Sequence, residues 1–168
     1  MVLIGVSTVG AAREPAKQSL IFEFKQQGLL TDDDVEKIQP EINDLCATTF
    51  DFVNEAEKIY TMPSERWEKK DIELLNRRGE AIDAAERAFL RSKICSRLHM
   101  DMDSVNEALS RSLVSYAKSN NYESEKFFEF IHLGINSGKT FREFWREKAN
   151  DPEWAKPVEF MNFWGANL

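Results

Sequence analysis

Histidine and cysteine each occur only twice in these 168 residues, and those two scarcities remove much of the catalytic repertoire at once. Cys46 and Cys95 form neither a C-x-x-C pair nor a disulfide framework, so a reducing, cytoplasmic setting is expected, with both residues as buried thiols too far apart to bridge. Glycine (7) and proline (5) are scarce as well, which disfavours a turn-rich all-β fold and suits long uninterrupted elements. No apolar stretch reaches the length of a bilayer span, so no membrane role is expected. There is no basic excess either: 22 Lys and Arg stand against 29 Asp and Glu, a net charge of −7, and direct nucleic-acid binding is not expected. The apolar start Met1–Val9 lacks the basic n-region of a signal peptide and is expected to be a buried strand or docked terminal segment.

What the chain does have is helical periodicity. A first helix is predicted over residues 13–27, with Leu20, Ile21 and Phe24 on one face and Gly28 as its stop. Thr31 then stands where a cap belongs, and Asp32, Asp33 and Asp34 follow where the helix dipole favours negative charge. Val35, Ile38, Ile42, Leu45, Thr49, Phe52, Ala56 and Ile59 recur at spacings of three and four, a heptad seam that specifies one helix packed along another. Pro40 lies outside the seam and marks either a kink or a junction between two nearly collinear helices.

Thr61-Met62-Pro63-Ser64 reads as a turn with Ser64 as N-cap, and Ile72, Leu75, Gly79, Ile82, Glu86 and Phe89 repeat the same spacing beyond it. Pairing residues whose numbers sum to 124 sets the two seams opposite each other, with Glu86 across from Ile38 as the one awkward member. The predicted fold is therefore an all-α helical bundle in a single domain spanning residues 1–168. It is built on a long, coiled-coil-like antiparallel hairpin, residues 31–60 against 64–97. Residues 1–30 supply the N-terminal segment and first helix. Residues 98–168 supply shorter helices, starting near Asp103, Glu123, Thr140 and Val158, and an aromatic tail.

Two motifs invite a catalytic interpretation and neither meets its requirements. Gly134-Ile-Asn-Ser-Gly138-Lys139-Thr140 resembles a phosphate-binding loop, but such a loop needs four residues between its glycines and a strand-to-helix context. The expectation is instead a helix ending at Gly138, with Thr140 capping the next. Glu129 and His132 form an E-x-x-H on one helical face. A di-iron bundle needs two such pairs, and His99 has Ser96 at the required spacing. No catalytic residue and no cofactor are assigned, and a small enzyme or ligand-binding bundle using Glu129 and His132 is the alternative reading.

Charge and aromatics point elsewhere. Residues 31–60 hold nine acidic side chains against Lys37 and Lys58, a difference of seven that equals the net charge. A basic end at Arg87, Arg91, Lys93 and Arg97 is expected to pack beside the start of this acidic helix. In the tail, Phe141-Arg-Glu-Phe144-Trp145 and Phe160-Met-Asn-Phe163-Trp164 repeat one pattern with Trp154 between them, and each repeat forms a stripe on a helix. The leading expectation is a non-enzymatic, acidic protein-binding module, such as an inhibitor, immunity-type factor or adaptor, facing a partner protein with a basic surface. Asp32, Asp33, Asp34, Glu36, Glu41 and Asp44 would steer the encounter. Trp145, Trp154, Phe160 and Trp164 would anchor it where exposed. A homo-oligomeric structural module is the third reading.

Overall fold

The computed structural model describes residues 2–92 and 102–167, with side chains described from Glu14 onward. It is all-helical, with no strand among the described residues. We label the α-helices α1 (Val2–Gln26), α2 (Asp32–Lys37), α3 (Gln39–Tyr60), α4 (Lys69–Leu90), α5 (Met102–Ser119), α6 (Glu125–Ile135), α7 (Phe141–Lys148) and α8 (Ala155–Ala166). Short 3-10 turns at Ser64–Arg66 and Pro152–Trp154 precede α4 and α8.

The N-terminal segment corrects the strand expectation, because residues 2–12 continue α1 in helical conformation, with Pro15 inside the helix. That helix stops where Gly28 predicts. Gly28 N–H donates to Lys25 O and Leu29 N–H to Phe24 O, which satisfies carbonyls that the helix end would otherwise orphan. In α2, Thr31 Oγ1 accepts from Asp34 N–H and the Asp34 carboxylate accepts from Thr31 N–H, a reciprocal capping box. The junction at Pro40 is a break between two helices: α2 ends at Lys37, Ile38 leaves helical geometry, and Pro40 occupies the first turn of α3, where a missing N–H costs nothing.

Ser64 does not cap α4. Glu68 does, in a capping box with Asp71, whose carboxylate accepts from Glu68 N–H at 2.9 Å. The link between α3 and α4 is therefore longer than the four-residue turn expected. Trp67 fills it, buried, with its indole N–H donating to Ile59 O at 2.8 Å. Arg78, which the pairing places opposite Cys46, has a guanidinium nitrogen 3.8 Å from the Glu55 carboxylate. Packing between α3 and α4 is nonetheless extensive. The end of the second arm, residues 93–97 with Lys93, Cys95 and Arg97, lies outside the described residues.

The main core runs from Ala16 on α1 to Phe160 on α8, and it buries Ile38, Ile42, Leu45, Phe52, Ala56 and Ile59 from the predicted seam. A smaller cluster of Phe130, Phe144, Trp154 and Val158 closes the C-terminal end. Between α3 and the start of α6, the Glu57 carboxylate accepts from Glu123 N–H, Ser124 N–H and the Ser124 hydroxyl, so a side chain from one helix caps another. Asn54 Oδ1 accepts from both Tyr116 and Tyr122 hydroxyls and pins α5 to α3. Burial, the neighbouring Tyr116 and Glu57 push the Tyr122 phenol up to about 12, which keeps it a donor in that network.

Candidate functional site

The phosphate-loop lookalike resolves into three structural duties. Helix α6 ends at Ile135, three residues before the expected stop, and Gly138 adopts φ +75° in the following turn. Thr140 caps α7, its hydroxyl accepting from Glu143 N–H at 3.2 Å. Gly134 is where α7 comes closest, since a Cβ there would stand 2.5 Å from Cε2 of Phe141 and 3.1 Å from Cδ2 of Phe144. Gly134→Ala is accordingly expected to destabilise the protein by about 1–3 kcal/mol through overpacking, read as a lowered midpoint in urea unfolding. A change below about 0.5 kcal/mol would show that α7 yields without cost.

Glu129 and His132 share a face of α6, but the imidazole is engaged elsewhere. Its Nδ1 lies 2.7 Å from Ser110 Oγ on α5, and Ser110 also donates to Glu107 O. Asn136 Nδ2 stands 3.3 Å from the same Nδ1, so the imidazole is held between Ser110 and Asn136 and acts as a polar pin between helices. Burial, then the nearby Arg111 guanidinium, lowers the His132 pKa below the ordinary histidine range. Among the described residues no group of three or more His, Cys, Asp or Glu side chains is placed to hold a metal ion.

The acidic set divides. Asp34 is buried in the α2 capping box, so its carboxylate is committed within the fold and is not part of the exposed acidic face. Asp32 pairs with Lys25 and Asp33 with Lys37 (2.8 Å), and among the described residues neither pairs with Arg87 on α4 or with Arg91, its C-cap, both of which are exposed. Glu36 and Asp44 are exposed and Glu41 half-buried. The aromatic set divides too. Phe160 is 0% and Trp154 5% exposed, so both are core residues and the exposure required of an anchor fails for them. Phe160 meets the rings of Tyr60, Trp67 and Phe127 at centroid distances of 5.4, 5.1 and 4.9 Å, and Trp154 packs on Phe130 at 5.7 Å. Trp145 and Trp164 are half-buried, each with part of its indole at the surface.

Around Trp164 the structure assembles a groove that no sequence motif announced. The indole N–H donates to Asn76 Oδ1 at 2.9 Å, which fixes the tail against α4, and the ring lies 6.0 Å from Phe52 on α3. The groove, about 530 Å³, has Phe52, Leu75, Ile82 and Trp164 as its apolar wall and exposed Glu80 and Asp83 on its rim. Gly79 lies along it with nothing within 4 Å of where a Cβ would be, so its missing side chain leaves the groove open. A glycine interrupting an apolar seam, with acids one and four residues later, was the available signal. A larger open groove, about 960 Å³, runs along α1 beside Phe22 and contains none of the sequence-predicted site residues.

One helix turn further along α4, Glu86 is 4% exposed and its Oε2 has no hydrogen-bond partner among the described residues. Burial raises its pKa from 4.5 to about 7, with Asp83 adding to the shift and Arg87 opposing it. No helix among the described residues is long and apolar enough to cross a membrane. No protein-family model matches this sequence, and comparison with curated proteins and with solved structures finds no match.

Proposed function

We propose that this chain is a non-enzymatic, acidic helical module of the cytoplasm that binds another protein through that partner's basic surface, as an inhibitor, immunity-type factor or adaptor does. The observation that carries the reading is the groove beside Trp164, where a half-buried indole and an apolar wall meet the acidic rim of Glu80 and Asp83. An aromatic anchor in a partly desolvated pocket, ringed by charge, has the composition of a binding hot spot. Asp32, Asp33, Glu36, Glu41 and Asp44 supply the wider negative field that speeds encounter with a basic partner. The reading takes α3 and α4 as the antiparallel arms of one coiled-coil-like hairpin, supported by their extensive packing. Two such arms would present the acidic face of α3 and the groove on one rigid scaffold.

Gly79→Leu tests this cleanly. It fills the groove while replacing a helix-interior glycine, so the fold is expected to hold or gain stability. Immobilised wild-type protein is expected to capture a basic polypeptide from source-cell lysate. Capture should fall at about 0.5 M salt, where screening is short-ranged, and fall again with Gly79→Leu and with Glu80→Gln/Asp83→Asn. Capture indifferent to salt and to all three substitutions would sink the reading.

A further inference from the structure

The other half-buried tryptophan sits in surroundings of the opposite sign. Trp145 and the exposed Arg142 and Arg146 on α7, with Ala149 beyond its C-terminus and Asn162 on α8, line a separate cleft of about 280 Å³. The edge of the indole lies against Gly165, where a Cβ would come within 3.1 Å of its Cη2 atom, so α8 backs the ring and the cleft is a fixed concavity.

The two arginines are the informative part. They stand at i and i+4 on one helix face, an arrangement of like charges that destabilises an isolated helix. The chain carries a net charge of −7, so acids to neutralise them are plentiful. Yet among the described residues neither guanidinium makes an ion pair or hydrogen bond, whereas Lys139 takes Glu147 and Lys148 lies 5.6 Å over the ring of Phe144. Two exposed guanidinium forks, with no protein partner among the described residues, line the cleft beside an indole and a side-chain amide. That donor set matches a doubly charged oxyanion, which both forks can grip, attached to a flat ring that stacks on the tryptophan. One carboxylate would leave one arginine uncompensated.

We propose that this cleft binds a small phosphate monoester carried on a planar ring, an aryl phosphate in chemical class. The phosphate sits between Arg142 and Arg146, Asn162 hydrogen-bonds its rim, and the ring lies along Trp145. The site is independent of the Trp164 groove and of the protein-binding reading.

Phenyl phosphate titrated at constant ionic strength, followed by the Trp145 indole N–H resonance, tests it. Saturable binding is expected, weakened about tenfold or more in Arg142→Gln and in Arg146→Gln, each of which lies on the surface and leaves the fold intact. Benzoate, with one charge, and inorganic phosphate, with no ring, are each expected to bind more weakly. N-acetyl-phosphotyrosine amide offers the same head group on a peptide. Weaker binding of that probe supports a free small molecule, and tighter binding overturns that part in favour of a phosphorylated protein side chain. No saturation up to about 10 mM phenyl phosphate, or equal affinity in both arginine variants, overturns the site. Equal affinity for inorganic phosphate and phenyl phosphate overturns the role of the ring.

Discussion

Replacing Phe160 with alanine is expected to lower the free energy of unfolding by about 3–5 kcal/mol, the range for deleting a buried aromatic ring. Against a typical total of about 5–15 kcal/mol, that loss brings the protein close to its stability threshold. The reason lies in what the ring touches. Phe160 is 0% exposed and makes near-perpendicular contacts with Tyr60 (84°) and Phe127 (89°) and a third with Trp67 (72°). Those residues come from α3, α6 and the α3–α4 link, so a cavity there would unpack three elements from α8 together. Urea unfolding followed by tryptophan fluorescence measures the change. A shift below about 0.5 kcal/mol is the signature of an exposed interface aromatic, and it would show that Phe160 anchors a partner and not the core.

How far the fold and the candidate site could be read in advance follows from the range of the interactions that set them. The seam residues Ile42, Leu45, Thr49, Phe52, Ala56 and Ile59 are all buried as their spacing requires, because helical periodicity is a local property. Helix stops such as Gly28 were equally legible, since a Schellman turn involves only the residues around it. The start of α4 was not, because Ser64 satisfies the local capping preference and Glu68, which takes the position, does not. What decides between them is the Trp67 indole reaching back to Ile59 O. The tail shows the limit most clearly. Both F-x-x-F-W repeats make an apolar stripe, yet Phe144 is the buried ring in one and Phe160 in the other. That choice depends on Phe130 and Phe127, which face different clusters on α6. The Trp164 groove left only the Gly79 signal in the sequence for the same reason: Trp164 bonds to a residue 88 positions earlier, and no window of sequence spans that distance.

Glu86 turns the one misfit of the predicted seam into the second large effect. A carboxyl group at an apolar seam position, 4% exposed and with an unpartnered oxygen, is more costly to bury charged than neutral. Its pKa accordingly rises from the ordinary 4.5 to about 7 in the fold. The folded state holds this proton more tightly, so the stabilising contribution is fully present below pH 4.5 and is lost as pH rises through 7. The shift corresponds to about 3 kcal/mol between those limits. Arg87 on the same helix lowers the shift and Asp83 raises it, and burial outweighs both. Other carboxylates give the whole molecule its own pH profile, so the informative quantity is the difference between wild type and Glu86→Gln. At pH 4 the two are expected to unfold at nearly the same urea concentration. By pH 8 the glutamine variant should be the more stable by about 2–3 kcal/mol, and Glu86→Leu, which also removes the unpaired polar oxygen, by more. A difference that does not change between pH 4 and pH 8 would mean that Glu86 keeps its charge in the folded state, with water or a cation reaching a carboxylate that the fold encloses.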